Sequence, residues 1–213
     1  MKKGIDNTNF YASFTSKNAP IISEEIKRVT IGIAGCGGLG SNAAIALVRA
    51  RIRNIVIADF DKVEISNLNR QQYLLKDAGN FKVDSLEKIL KSINPFIKVE
   101  KYKIKLNKDN IYDVFEKCAI VIEAFDSIAS KSMIIKVFSE SRFKEKYLIG
   151  GSGVAGYSSA NDIKTKKISN NIFICGDNKT KPLKSAGIMA PRVMIAAGHQ
   201  ANIALNIIAG LKN

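Results

Sequence analysis

The chain has 213 residues, 46% of them hydrophobic, enough for a packed core of ordinary size, which excludes a disordered polymer. Its formal charge is +14. The lysines are scattered, among them Lys76, Lys88, Lys91, Lys98, Lys101, Lys103 and Lys105, and no stacking-aromatic motif accompanies them, so nucleic acid is not the expected partner.

Residues 1–27 are expected to be an N-terminal arm, whose first 20 residues are polar with Phe10, Tyr11 and Phe14 interleaved and either dock or fray. Residues 23–28 are expected as a short helix feeding the first strand. From there strands and helices alternate. Strands are predicted at Val29–Ala34, Asn54–Ala58, Ile97–Lys103, Ala119–Ala124 and Tyr147–Gly150. Helices are predicted at Ser41–Arg51, Lys82–Ser92, Asn110–Lys117 and Ile128–Arg142. This order predicts an α/β, Rossmann-like, mostly parallel sheet with helices on both faces, formed by residues 28–213 as one domain.

The last third breaks the rhythm. Val154–Ser159 and Ile168–Cys175 are predicted as short strands of a C-terminal antiparallel extension. Residues 176–187 are Lys-rich and carry a proline, so a mobile surface loop is expected there. Pro191 marks a helix start, and Val193–Leu211 is a long helix apolar enough to be buried in a core or a subunit interface.

The first strand ends in Gly35-x-Gly37-x-x-Gly40, followed directly by a helix. That arrangement cradles phosphates at the start of nucleotide-binding βαβ units. Asp59 closes the second strand about 20 residues later, where an acidic residue accepts hydrogen bonds from ribose hydroxyls. The alternative for Asp59 is a solvated strand end. Ser66-Asn-Leu-Asn-Arg-Gln-Gln72 then offers amides and a guanidinium just outside the sheet's carboxyl end. Lys82 starts a helix, and Asp126 follows the strand ending at Glu123. Asp59, Arg70, Lys82 and Asp126 can therefore converge on one crevice. Two cations and a metal-capable carboxylate around a phosphate cradle point to nucleotidyl transfer.

Taken together, Gly35-x-Gly-Gly-Leu-Gly-Ser41, Asp59-Phe-Asp61, Ser66 to Gln71, Lys82-Val83, Ile93-Asn-Pro95, Asp126 and Gly187-Ile-Met-Ala-Pro-Arg192 resemble the ThiF/MoeB family. These are sulfur-carrier-protein adenylyltransferases related to ubiquitin-activating enzymes. The whole-chain match looks closest to short, zinc-free ThiF-like proteins of thiamine biosynthesis. The resemblance implies that ATP binds with Mg2+ as substrate and that a small ubiquitin-like sulfur-carrier protein ending in Gly-Gly is adenylated. It implies that Gly37, Gly38 and Gly40 admit the nucleotide to the backbone and that Asp59 and Asp61 lie at its ribose. Asn67 and Arg70 would contact phosphates, Lys82 would neutralise departing pyrophosphate, and Asp126 would bind magnesium. Lys131 stands where relatives often place an arginine near the site. It also implies a homodimer.

Cysteine usage departs from the family. Cys36, Cys118 and Cys175 include no C-x-x-C pair, so no zinc is expected, no disulfide framework is supported, and a reducing cytoplasm is the expected compartment. Some relatives use a loop cysteine for a covalent link to the carrier, and the matching position here is Leu183. Cys175 is either a nearby substitute or a half-buried structural thiol at a strand end. Cys36 and Cys118 are expected to pack. The arginine that relatives reach across the dimer has Arg28 as its nearest candidate, and Ser127 stands where relatives often carry asparagine. The lone His199 is expected to be a satisfied core or interface histidine. No apolar run approaches the roughly 20 residues of a membrane span, and the N-terminus has no apolar core of a secretory signal.

Other readings remain open from sequence. A relative acting on a tRNA-bound carboxylate fits the charge, although extra C-terminal sequence in such relatives counts against it. A nicotinamide-dependent oxidoreductase is supported by the glycine turn alone. A non-catalytic nucleotide-binding scaffold is disfavoured by Arg70, Lys82 and Asp126.

Overall fold

The computed structural model describes residues 6–17, 25–180 and 187–210. Two short helices, α1 (Asn7–Phe14) and α2 (Glu25–Arg28), precede strand β1 (Thr30–Ala34) and helix α3 (Gly38–Arg49). β2 (Asn54–Ala58), α4 (Lys82–Ile93), β3 (Lys98–Tyr102), α5 (Ile111–Phe115), β4 (Ile120–Glu123), α6 (Ile128–Phe138) and β5 (Tyr147–Gly151) follow. β6 (Lys164–Lys167), β7 (Ile172–Gly176) and α7 (Ala190–Ile208) complete the order.

Among the described residues seven strands form one sheet, ordered β3-β2-β1-β4-β5-β7-β6. Every pairing is parallel except β6 with β7. The predicted Rossmann-like α/β class is therefore the observed one. The strand sequences explain the burial. A strand sends alternate side chains to opposite faces. Ile31, Ile33, Ile55, Ile57, Ile120 and Ile122 enter the core covered by α3, α4 and α7. Ala34, Val56, Ala58 and Val121 enter the second core, covered by α5 and α6. Gly32 leaves room there for Phe115, whose ring carbon lies 2.5 Å from where a Gly32 β-carbon would stand. Filling that space with a fully buried phenyl ring contributes about 1.5–3 kcal/mol relative to leaving it exposed.

Sequence order along the sheet reverses between β1 and β4, since β2 and β3 extend one way and β4 and β5 the other. Ligands of open α/β sheets bind outside the carboxyl ends of the strands at such a reversal.

Several boundaries differ from the sequence reading. Val154–Ser159 is not a strand. Gly153 and Gly156 both take φ of +72°, a left-handed conformation that breaks extended chain, and only an isolated bridge joins Gly156 to Ile188. Ile168–Cys175 splits instead: β7 begins at Ile172 and pairs parallel with β5, and its antiparallel partner is the Lys-rich β6. The predicted helix Ile128–Arg142 stops at Phe138, with a separate 3-10 turn at Ser141–Phe143. α3 begins at Gly38 rather than Ser41, and α7 at Ala190 with Pro191 in its first turn. The arm contains a helix, capped by Asp6, whose Oδ1 accepts from the Asn9 N–H at 2.7 Å. It docks. Tyr11 is buried under the Arg53 guanidinium, 3.5 Å from the ring centroid, and its hydroxyl accepts from Asn94 Nδ2 at 2.9 Å. Predictions that fall on residues 1–5, 18–24, 181–186 and 211–213 lie outside the described residues.

Candidate functional site

The glycine turn is closed by its backbone. Gly35 takes φ of +96°, and its N–H donates to the Ala58 carbonyl of β2 at 2.9 Å. A β-carbon on Gly40 would stand 1.9 Å from the Gly35 carbonyl oxygen, so only glycine allows α3 to start this close to β1. Gly37 caps α3 without any side-chain hydrogen bond. The first N–H groups of the helix therefore face the crevice as a ready anion site.

Asp59 extends the turn. One carboxylate oxygen accepts the Cys36 N–H at 2.6 Å and the other the Asp61 N–H at 2.8 Å. Burial pushes its carboxyl above the ordinary carboxylate range, and the nearby Lys82 ammonium pulls the other way. Cys36 contributes mainly backbone, because its carbonyl accepts the Tyr73 hydroxyl at 2.6 Å. That phenol is buried, and burial raises its pKa well above the ordinary value. Lys82, at the start of α4, pairs with Asp61 at 2.7 Å. Asp59, Asp61, Tyr73 and Lys82 thus form one connected network beside the glycine turn.

The Ser66–Gln72 segment lies against the first turn of α3. Asn42 Nδ2 donates to the Gly38 and Arg70 carbonyls at 2.7 and 3.2 Å, and Gln72 Nε2 donates to Asn42 Oδ1 at 2.6 Å. Asn67, expected at a phosphate, is buried, with Oδ1 accepting the Glu64 N–H at 3.2 Å. Its carbonyl accepts the Arg70 and Gln71 N–H groups. Asn67 therefore shapes the turn that presents Arg70. The Arg70 guanidinium donates to the Ser66 carbonyl and Asn69 Oδ1, both on its own loop.

Across the sheet reversal, Asp126 is exposed beyond the end of β4, and among the described residues no side chain engages it. A carboxylate free of protein partners is a hard oxygen donor of the kind magnesium takes. The chain thus fits a role for Asp126 in holding the magnesium of a nucleotide substrate. Three residues earlier in the chain, Glu123 is 1% exposed and pairs with Lys131 at 2.9 Å. The sequence signal for Glu123 was a lone acidic residue closing an apolar strand.

Arg192 and Asp177 form a second buried pair, 2.7 Å apart with side chains 3% and 7% exposed. Arg192 also donates to the Ser158 and Ser159 carbonyls, so it ties α7 to the loops after β5 and β7. Its motif was visible in the sequence, but its partner was not.

The remaining candidates sit elsewhere. Cys175 is fully buried in β7, with its thiol pushed up to about 11 by burial against the opposing pull of the Thr165 hydroxyl. Cys118 is likewise buried, its thiol pushed up to about 12. His199 Nδ1 is 3.1 Å from Thr165 Oγ1. Arg28 is exposed just before β1, at the sheet end opposite the crevice. Among the described residues no helix is long and apolar enough to cross a membrane, and no group of three or more His, Cys, Asp or Glu is placed to hold a metal ion.

Comparison with known proteins adds four findings. The sequence model described as the ThiF family matches residues 12–213. An adenylyltransferase and sulfurtransferase UBA4 of Scheffersomyces stipitis is 37% identical over 61% of this chain and 29% of its own length. A sulfur carrier protein adenylyltransferase of Thermus thermophilus is 31% identical over 52% of this chain and 41% of its own length. The matched part is therefore less than half of either relative. The structure of the E. coli tRNA N6-threonylcarbamoyladenosine dehydratase TcdA with ATP superposes with a TM-score of 0.82 at 20% identity. It covers 97% of both chains, which shows the shared fold.

Proposed function

This chain belongs to the ThiF family, and on that premise we propose that it adenylates the C-terminal glycine carboxylate of a small ubiquitin-like sulfur-carrier protein at the expense of ATP. The carrying observation is the convergence, around the glycine turn, of Asp59 with the paired Lys82 and of Arg70 on the first turn of α3.

The reaction is a displacement at phosphorus. A carrier carboxylate oxygen forms a bond to the α-phosphorus of ATP, and the bond to the bridging oxygen of pyrophosphate breaks. The products are the carrier acyl-adenylate and pyrophosphate. A carboxylate is ionised at neutral pH, so no side chain has to remove a proton. Catalysis rests on placement and on charge that the protein supplies in advance. Gly37, Gly38 and Gly40 bring the phosphates onto the N-terminus of α3. Asp59, with Asp61 beside it, receives the ribose hydroxyls. Arg70, presented by the Asn67 turn, and Lys82 face the charge that builds on departing pyrophosphate. Asp126 would hold the magnesium that accompanies ATP, and that ion would supply positive charge to offset the phosphates.

The domain doing this is residues 28–213, and the working form is a homodimer. Thiamine biosynthesis is the proposed setting, in the cytoplasm. ATP–pyrophosphate exchange tests the reading, with exchange expected only when a carrier ending in Gly-Gly is present. A second reading, adenylation of a tRNA-bound carboxylate, draws support from the +14 charge and from the end-to-end likeness in fold to TcdA. Exchange stimulated by tRNA and not by carrier would favour it.

A further inference from the structure

We propose that Glu123 and Lys131 are a positioning pair that sets the corner carrying Asp126 against the glycine turn. The proposal rests on the adenylation reading above and concerns how one part of that site is held.

Glu123 ends β4 with its carboxylate turned inward. One oxygen accepts the Phe125 N–H at 2.7 Å and Lys131 Nζ at 2.9 Å. The other accepts Lys131 Nζ at 3.2 Å and the Gly151 N–H at 3.3 Å. Lys131 Nζ also donates to the Gly151 carbonyl at 2.8 Å. The ammonium thus clamps the corner after β4 to the end of β5. The Phe125 bond folds the chain back on Glu123, so that Asp126 emerges one residue later. Ser127 caps α6 by accepting the Ser130 N–H, and the Lys131 N–H donates to the Ser127 carbonyl. The helix carrying the ammonium therefore starts from the same corner.

The corner has no slack on its other sides. A β-carbon on Gly35 would meet the Ala124 carbonyl oxygen at 3.0 Å, and one on Gly150 would meet Glu123 Oε2 at 2.9 Å. From α7, the fully buried Gln200 donates to the Glu123 and Ile149 carbonyls at 2.9 and 3.0 Å. The Glu123 carboxylate bonds to Phe125, Lys131 and Gly151, none of them a group expected to react. A buried ion pair is weak evidence for stability, and its better-attested use is to specify one geometry. Here that geometry is the distance between Asp126 and the phosphate cradle.

The test compares the full chain with Lys131→Arg and with the double variant Glu123→Gln/Lys131→Met. The double variant removes both charges and leaves no unpaired buried ion, so it can fold. ATP affinity without magnesium is expected to stay within about twofold, since the Asp59 side is untouched, while kcat for pyrophosphate exchange falls about 100-fold, the loss a misplacement of order 1 Å produces. Lys131→Arg keeps the charge and the donors and is expected to retain at least about a tenth of parental kcat. A folded double variant with parental kcat, or one that loses ATP affinity in step with kcat, would overturn the proposal. If the parent binds ATP without any pyrophosphate exchange, the adenylation reading fails instead. The pair is then decided by magnesium: loss of magnesium's effect on ATP affinity in the double variant supports it, and retention of that effect overturns it.

Discussion

Lys82 is joined to Asp61 twice, through its ammonium at 2.7 Å from Oδ2 and through its N–H, which donates to the Asp61 carbonyl at 2.9 Å. The backbone bond survives any change of side chain. Asp61 is 45% exposed at its side chain, so water can solvate it when the lysine is gone. Lys82→Met is therefore expected to lower the unfolding free energy measured in urea by less than about 1 kcal/mol, the range of partly exposed pairs. In the same variant kcat for pyrophosphate exchange should fall by about 100-fold or more, as for removal of one preorganised charge-stabilising group. A large loss of stability with unchanged kcat would make Lys82 a structural residue.

Two glycines in helices should respond in opposite directions. Gly40→Ala puts a carbon 1.9 Å from the Gly35 carbonyl oxygen and must push α3 off the turn. Loss of ATP binding is expected, with a stability cost of several kcal/mol, on the order of ~3. Gly198 is exposed inside α7 with nothing within 4 Å of the position of a β-carbon. Gly198→Ala should raise stability by about 0.5–1 kcal/mol through helix propensity. Thermal unfolding of the two variants beside the parent checks both.

Asp177 and Arg192 should make the end of the fold sensitive to acid. Burial pushes the Asp177 carboxyl up. The N–H groups of Thr180 and Lys179, the Thr180 hydroxyl and the Arg192 guanidinium outweigh it and hold the carboxyl below its ordinary value of 3.8. A folded-state value below the unfolded one gives stability that is full above the unfolded pKa and is lost as pH falls through the folded one. Asp177→Asn leaves a buried guanidinium unpaired and should cost about 3–5 kcal/mol at neutral pH. The gap between parent and variant, measured by urea unfolding, should hold from pH 7 to about 4 and shrink below that. A gap that widens in acid would contradict the assignment.

The three thiols are buried, and burial raises the pKa of each. Thiolate is the reactive form, so native protein should resist iodoacetamide at neutral pH and become labelled at Cys36, Cys118 and Cys175 only on unfolding. Mass spectrometry of the alkylated protein reads this. Rapid native labelling of Cys175 would reopen a covalent role for it in sulfur transfer.

The first half of the fold was legible because its signals are local. An apolar run, spaced glycines and a helix former specify the β1–α3 turn with little help from the rest of the chain. The C-terminal third was not. β6 is an edge strand of Lys164-Thr-Lys-Lys167, whose lysines guard an open edge while erasing the alternating apolar pattern. Val154–Ser159 carries apolar residues, but the left-handed glycines at 153 and 156 decide its path. The places of Asp59, just past β2, and Lys82, at the start of α4, were readable because strand ends and helix starts leave local signals, whereas Arg70 lies in a turn beyond the 3-10 segment Ile65–Asn67 rather than at either. Glu123, Tyr73 and the Asp177–Arg192 pair could not be picked out, since each acts through a partner that only the tertiary fold supplies.

The central claim is carrier-dependent adenylation, and ATP–pyrophosphate exchange measures it most directly. With a cognate carrier ending in Gly-Gly, labelled pyrophosphate should enter ATP, and removing the two terminal glycines should abolish that exchange. ATP binding without any exchange in the presence of that carrier would contradict the account.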